Sequence, residues 1–196
     1  LDVICRIDTG NELAYYQQLF AQCSAMMQSL QKLPVPVIAR VQGIATAAGC
    51  QLVGMCDLAV AVDTAGFCLS EVKLGLIPAT ISPYVIRAMG ARAAHRYFLT
   101  AERFDAAEAL RVGFVHTVAA ADQLDAQVDE LLKALTSASP NAVRACKKLV
   151  LQVAEREINA GLIATTVQGI ADIRASDEGK EGVQSFLNTR KPNWLG

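Results

Sequence analysis

Residues 34–69 constrain the fold more than any other stretch. Val35–Val41 is a short, mostly apolar run rich in β-branched residues. Such a run reads as a strand buried within a sheet. Gly43 follows, and then Ala45-Thr46-Ala47-Ala48-Gly49. Residues this small permit close backbone approach and suit a turn into a helix. Cys50–Met55 is that helix. Asp57–Val62 reads as a second strand and Phe67–Leu69 as a third. Short strands alternating with short helices point to an α/β fold.

Helical periodicity frames this segment. In Asn11–Leu33, Tyr16, Leu19, Phe20, Cys23, Met26, Met27, Leu30 and Leu33 recur at three- and four-residue spacing, with glutamines opposite. This predicts an amphipathic helix, stopped by Pro34 and Pro36. Gly75–Ser82 reads as a loop. Pro83 opens a helix that Gly90 ends, and Ala93–Leu99 forms a further short one. Asp105 is the expected N-cap of the next helix, Glu108 its capping-box partner and Gly113 its stop. Beyond Val118 the pattern is helical only: Ala121–Leu135, Asn141–Glu157, Ile158–Ser176 and Glu178–Thr189. Ser139 is the expected cap of the second of these, with Pro140 in its first turn. A boundary near residue 120 therefore separates residues 1–120, an α/β core, from residues 121–196, a helical region.

Composition narrows the function. The chain has 196 residues, 53% hydrophobic and 19% charged, which is a globular balance rather than a disordered one. A net charge of -1 argues against a nucleic-acid surface. Six cysteines lack any CxxC spacing and only two histidines occur, so no metal site is expected. Free cysteines in apolar runs fit a reducing, cytoplasmic compartment. Leu1–Asp8 lacks the order of a secretion signal, and Leu52–Val62 is too short to span a bilayer. The chain begins on Leu rather than Met, as a fragment or a processed chain does.

Four motifs, in order, carry a resemblance. The first is Pro36-Val-Ile-Ala followed by Gly43 and the small-residue turn. The second is Phe67-Cys-Leu-Ser-Glu71-Val-Lys-Leu-Gly75-Leu-Ile-Pro78, an F-x-x-x-E-x-x-x-G-x-x-P element. The third runs from Leu99-Thr100 to Gly113-Phe-Val. The fourth joins Glu181-Gly182 and Phe186 to Arg190-Lys191-Pro192. Together they resemble the enoyl-CoA hydratase/isomerase (crotonase) family. Residues 13–62 resemble members of unassigned reaction. Residues from about 67 onward resemble bacterial methylglutaconyl-CoA hydratases.

The resemblance implies a ClpP-like spiral of ββα units, N-terminally short here, with C-terminal helices that build trimers or hexamers. It implies an acyl-CoA thioester as substrate, with coenzyme A part of that substrate and no separate cofactor. It implies an enolate oxygen held by two backbone N–H donors, a form of stabilisation that supplies the largest catalytic contribution. By motif position one donor is Ala48, at a helix start whose dipole adds to it. Lys191 and Phe186 would reach the CoA nucleotide.

Two departures keep the reaction open. Where a first catalytic glutamate is usual, this chain has Gln51, which can orient water but cannot take its proton. The second glutamate matches Glu71. The upstream A/S-G-x-D donor loop has no match in Leu1–Glu12, which offers only Asp8-Thr9-Gly10. Hydration of a 2-enoyl-CoA through Glu71 with help from Gln51 is the first expectation. A Δ3/Δ2 double-bond shift, needing one acid/base, is the second. An impaired acyl-CoA-binding or assembly subunit is the third. His95, His116, Cys50 and Cys56 are expected to be structural.

Overall fold

A computed structural model describes residues 12–196. The chain divides into two compact units. One takes the described residues up to Leu33 together with Val37–Asp125; the other takes Pro34–Pro36 and Ala126–Gly196.

In the first unit the chain lays down strands in pairs and sends one member of each pair to each of two sheets. β1 (Ile38–Val41) and β3 (Leu58–Val62) run parallel, Ile38 opposite Leu58, and β6 (Thr117–Ala119) extends that sheet alongside β3. β2 (Ile44–Thr46) runs parallel to β4 (Gly66–Cys68), and β5 (Phe104–Asp105) adds to β4 antiparallel. The orders are β1-β3-β6 and β2-β4-β5. After β1 and β2 comes the helix Ala48–Met55; after β3 and β4 come a 3-10 turn, Glu71–Leu74, and the helix Ser82–Thr100. This is the expected α/β spiral of ββα units. A parallel sheet needs such helical crossovers, because consecutive parallel strands cannot be joined by a hairpin.

The small-residue pattern puts Ala45 and Thr46 in the turn. With Ile44 they form β2 instead, Ala48 and Gly49 open the helix, and the turn narrows to Ala47. Ala45 is small but buried, and pairing with Phe67 overrides its weak strand propensity. The expected strand at Val35 starts later, at Ile38. Before it, the Val37 N–H donates to the Asp57 carboxylate at 2.7 Å, and the N–H groups of Asp57 and Leu58 both donate to the Val37 carbonyl.

The core lies where the sheets and helices meet. Val60, Ala61 and Phe67 from the strands and Val85 from the helix Ser82–Thr100 are almost fully buried. Phe67, Phe104, Phe114 and Tyr97 form one aromatic cluster, with centroid distances of 4.3 to 5.9 Å. Offset and edge-to-face rings at such distances add to plain burial. Gly90 breaks the helix Ser82–Thr100 at φ 78 and ψ 156, so the two expected helices meet across a kink.

Asp105 caps its helix as expected, accepting from the Glu108 N–H at 2.8 Å. Glu108 does not complete the capping box. Its carboxylate takes two Arg111 guanidinium N–H groups and the Tyr97 hydroxyl, the latter at 2.6 Å, stronger charge-assisted partners than a backbone N–H. The Arg111 bonds first, and then the Tyr97 hydroxyl, hold the pKa of the Glu108 carboxyl down at about 2. The helix Glu12–Gln31 forms, but among its apolar residues only Met27 is buried.

The second unit is helical: Pro140–Val153, Ala160–Ala175 and Asp177–Leu187 follow the C-terminal end of the helix Leu124–Ser137. Ser139 caps as expected, accepting from the Ala142 N–H at 3.2 Å. The helix after it ends at Val153, short of the expected Glu157, and Glu155 takes a positive φ of 61. Glu178 accepts from the Ser139 hydroxyl and from the Asn141 N–H, joining one helix start to another. The Glu181 carboxylate receives two Arg190 donors, at 2.6 and 2.8 Å, and the Asn193 N–H at 2.9 Å. That triple acceptance fixes the turn into the final 3-10 segment, where the Trp194 indole donates to Ser137 O.

Candidate active site

The small-residue turn ends on a strained residue. Ala47 has φ 47 and ψ −114, a region that favours glycine and costs an alanine roughly 1–3 kcal/mol. Tertiary bonds hold it there. Its N–H donates to Cys68 O on β4 at 3.0 Å, and its carbonyl accepts from the Gln51 N–H at 3.2 Å. Ala48 is therefore the first residue of the helix Ala48–Met55, and among the described residues its N–H has no acceptor. The first N–H groups of a helix lack intrahelical partners and point along a dipole that favours negative charge. Ala48 is also an exposed residue.

Beneath the turn lies Cys50, fully buried. Its thiol donates to Ala45 O at 3.2 Å and approaches Cys68 O at 3.5 Å. Burial first, and then the Glu71 charge, push it up to about 12. A thiol held protonated in this way is a packing group and not a nucleophile.

Cys68 O thus ties the turn to β4, and three residues on stands Glu71. Glu71 opens the 3-10 turn that Gly75 closes in the left-handed conformation, φ 72. One carboxylate oxygen, Oε2, is buried without a hydrogen-bond partner. Burial pushes the carboxyl above the usual carboxylate range, partly offset by its own backbone N–H. An unsatisfied buried carboxylate is costly, so its presence asks for a role.

Gln51 is 2% exposed. Its Nε2 donates to Thr80 O, at 3.4 Å, in the segment between Gly75 and the helix Ser82–Thr100. The first unit thus carries Ala48, Gln51 and Glu71. Lys191 and Phe186 belong to the second unit, where both are exposed, Phe186 at 83%. Asp8-Thr9-Gly10, in the stretch where no upstream donor loop was matched, lies outside the described residues.

Sequence patterns missed three features of the site. The positive φ of Ala47 and the Cys68 O clamp depend on sheet pairing. The Thr80 carbonyl carries no side-chain signal at all. His116 and His95, expected to be structural, both bond main-chain atoms. The His116 imidazole accepts the buried Ala59 N–H at 3.0 Å, and His95 bonds Ala91 O within its helix. A cleft of about 570 Å³, lined by residues such as Arg92, Arg96, Tyr97 and Arg111, contains none of the expected site residues. Among the described residues no group of three or more metal-ligating side chains comes together, and no helix is long and apolar enough to cross a membrane.

The chain is similar to known proteins in sequence and in fold. Residues 7–196 match the family described as enoyl-CoA hydratase/isomerase. Enoyl-CoA hydratase domain-containing protein 3, mitochondrial, of Mus musculus is 34% identical over 180 residues, covering 92% of this chain and 60% of the mouse protein. This chain thus spans about three fifths of the curated relatives it matches first. The crystal structure of an enoyl-CoA hydratase from Shewanella pealeana is 43% identical, with a TM-score of 0.88 over 97% of this chain and 70% of that one. That of enoyl-CoA hydratase from Mycobacterium smegmatis is 38% identical, with a TM-score of 0.90 over 97% of this chain and 73% of that one. By motif order, fold and these likenesses, the chain belongs to the enoyl-CoA hydratase/isomerase family and has its crotonase fold.

Proposed function

We propose that this chain acts on an acyl-CoA thioester by moving a proton at carbon through Glu71, and that its reaction is hydration of a 2-enoyl-CoA. The observation that carries this is the buried, unpartnered Glu71 Oε2, with its carboxyl pushed up by burial. A raised pKa makes the carboxylate a stronger base for taking the proton that its acid form then returns. In hydration, Glu71 takes a proton from water as the water oxygen bonds to C3. The thioester oxygen becomes an enolate oxygen and accepts from the Ala48 N–H. The carboxylic acid then returns the proton to C2. No separate cofactor enters these steps.

Double-bond isomerisation is a second reading, favoured by the burial of Gln51 and its bond to Thr80 O. In that reaction Glu71 takes a proton from C2 of a 3-enoyl-CoA and returns it at C4, and no water has to be held. An impaired acyl-CoA-binding subunit remains the reading to adopt if neither turnover occurs. The assay is turnover of crotonyl-CoA and of a 3-enoyl-CoA by the parent and by Glu71→Gln. Loss of a positioned general acid/base is expected to lower kcat at least about 100-fold. Unchanged turnover would remove Glu71 from the chemistry.

Lys191 and Phe186 are proposed to meet the CoA nucleotide, a basic side chain for phosphate and an exposed ring for adenine. Self-association as a trimer or hexamer is proposed for the helix Ala160–Ala175. It exposes Ile163, Val167 and Ile170 along one stripe, apolar surface that association would cover. Cys23, Cys50, Cys68 and Cys146 are free thiols, which supports a reducing compartment, proposed as cytoplasmic.

A further inference from the structure

The position that would hold a water-activating carboxylate carries an amide here, and the amide is engaged elsewhere. Gln51 is 2% exposed, and its Nε2 donates to the main-chain carbonyl of Thr80. Among the described residues this is the hydrogen bond by which the helix Ala48–Met55 reaches the segment after the Glu71 turn. That segment runs straight on from the turn. Leu76 N–H returns to Glu71 O at 3.1 Å and Gly75 N–H to Val72 O at 3.2 Å. Further on its bonds are local: Ala79 N–H to Ile77 O, Ser82 N–H to Pro78 O, and the Ser82 hydroxyl to Ala79 O. Leu76 and Ile77 are exposed, so apolar packing does not hold the middle of the segment. Pro78 and Ile81 are buried at its far end, where Thr80 lies between them in sequence.

We propose that Gln51 is a positioning residue that braces residues 75–82 through the Thr80 carbonyl and thereby holds the Glu71 turn in place. It does not hold a water molecule. The choice of amide over carboxylate follows from hydrogen-bond chemistry. A carbonyl oxygen only accepts, and so does an ionised carboxylate. Glutamine supplies the N–H that the Thr80 carbonyl needs, and an ionised glutamate of the same shape would set two acceptors against each other. The amide at this position and the lone Glu71 carboxyl are then two sides of one arrangement. The amide at position 51 braces the segment that follows the carboxyl at position 71. This rests on the proton-transfer role of Glu71 proposed above.

The test compares Gln51→Glu and Gln51→Met with the parent. Gln51→Met keeps the length of the side chain and removes the donor. The first readout is hydrogen–deuterium exchange of peptides covering 75–82, which needs no turnover. Both variants are expected to exchange faster there than the parent, with protection elsewhere in the described chain unchanged. The second readout is kcat and KM for hydration and for isomerisation. A loosened turn misplaces Glu71 in both reactions, so kcat for each is expected to fall by about 10- to 100-fold with KM little changed. Parent-like exchange over 75–82 in both variants overturns the brace. So does a gain of hydration in Gln51→Glu, or a loss of hydration alone in Gln51→Met, since either marks a water-holding group. If the parent turns over neither substrate, the proton-transfer role fails, and the exchange result still decides the brace. A variant that loses protection throughout the chain marks a general packing role and also overturns it.

Discussion

Glu71→Met is expected to make the protein more stable and inactive. The parent buries Glu71 Oε2 without a partner. An unsatisfied buried polar atom costs about 1–3 kcal/mol, and more when the group is charged. Methionine has similar length and no polar atom, so the substitution removes that cost and leaves the volume nearly filled. For a chain of this size each kcal/mol corresponds to roughly 2–4 °C, so Tm is expected to rise by about 2–12 °C. The gain depends on pH, with a definite sign. Burial raises the folded-state pKa of Glu71 above its unfolded value. The stability this group contributes is fully present below the unfolded pKa and is lost as pH rises through the folded pKa. The Tm difference between Glu71→Met and the parent is therefore expected to be small in acid and to widen as pH rises from the ordinary carboxylate range. Thermal melts of both proteins across that range, followed by circular dichroism, measure it. A variant less stable than the parent at every pH, or a difference that does not change with pH, refutes the reasoning.

Two substitutions probe the backbone around the elements that matter. Ala47→Gly relieves the φ 47, ψ −114 strain and is expected to raise Tm by about 2–4 °C, since glycine adopts that region freely; an unchanged or lower Tm would show that the turn stores no strain. Gly179→Ala places a Cβ 2.1 Å from Ile173 O, so the start of the helix Asp177–Leu187 must shift, and urea melts are expected to show a loss of at least about 1–3 kcal/mol.

The α/β class, the helical C-terminal region and the order of the motifs were legible in the sequence, because they rest on local signals. Proline stops, the Ser139 and Asp105 caps and the period of apolar residues act over a few neighbours, and the structure keeps them. Gln51 and Glu71 were legible as residue types at motif positions. What each does was not, because burial and partners come from chain segments far apart. Pairing of β2 with β4 turned small residues into a strand and forced Ala47 into a left-handed φ, which left the Ala48 N–H open. Glu108 satisfied the capping-box spacing yet turned to Arg111 and Tyr97, since a charged partner outcompetes a backbone N–H. The sequence by itself determined which groups are available, an amide at 51 and a carboxyl at 71. Only the tertiary structure decided that the amide is spent on Thr80 O and that one carboxylate oxygen is buried without a partner, because desolvation and hydrogen bonding depend on what the folded chain packs around each atom.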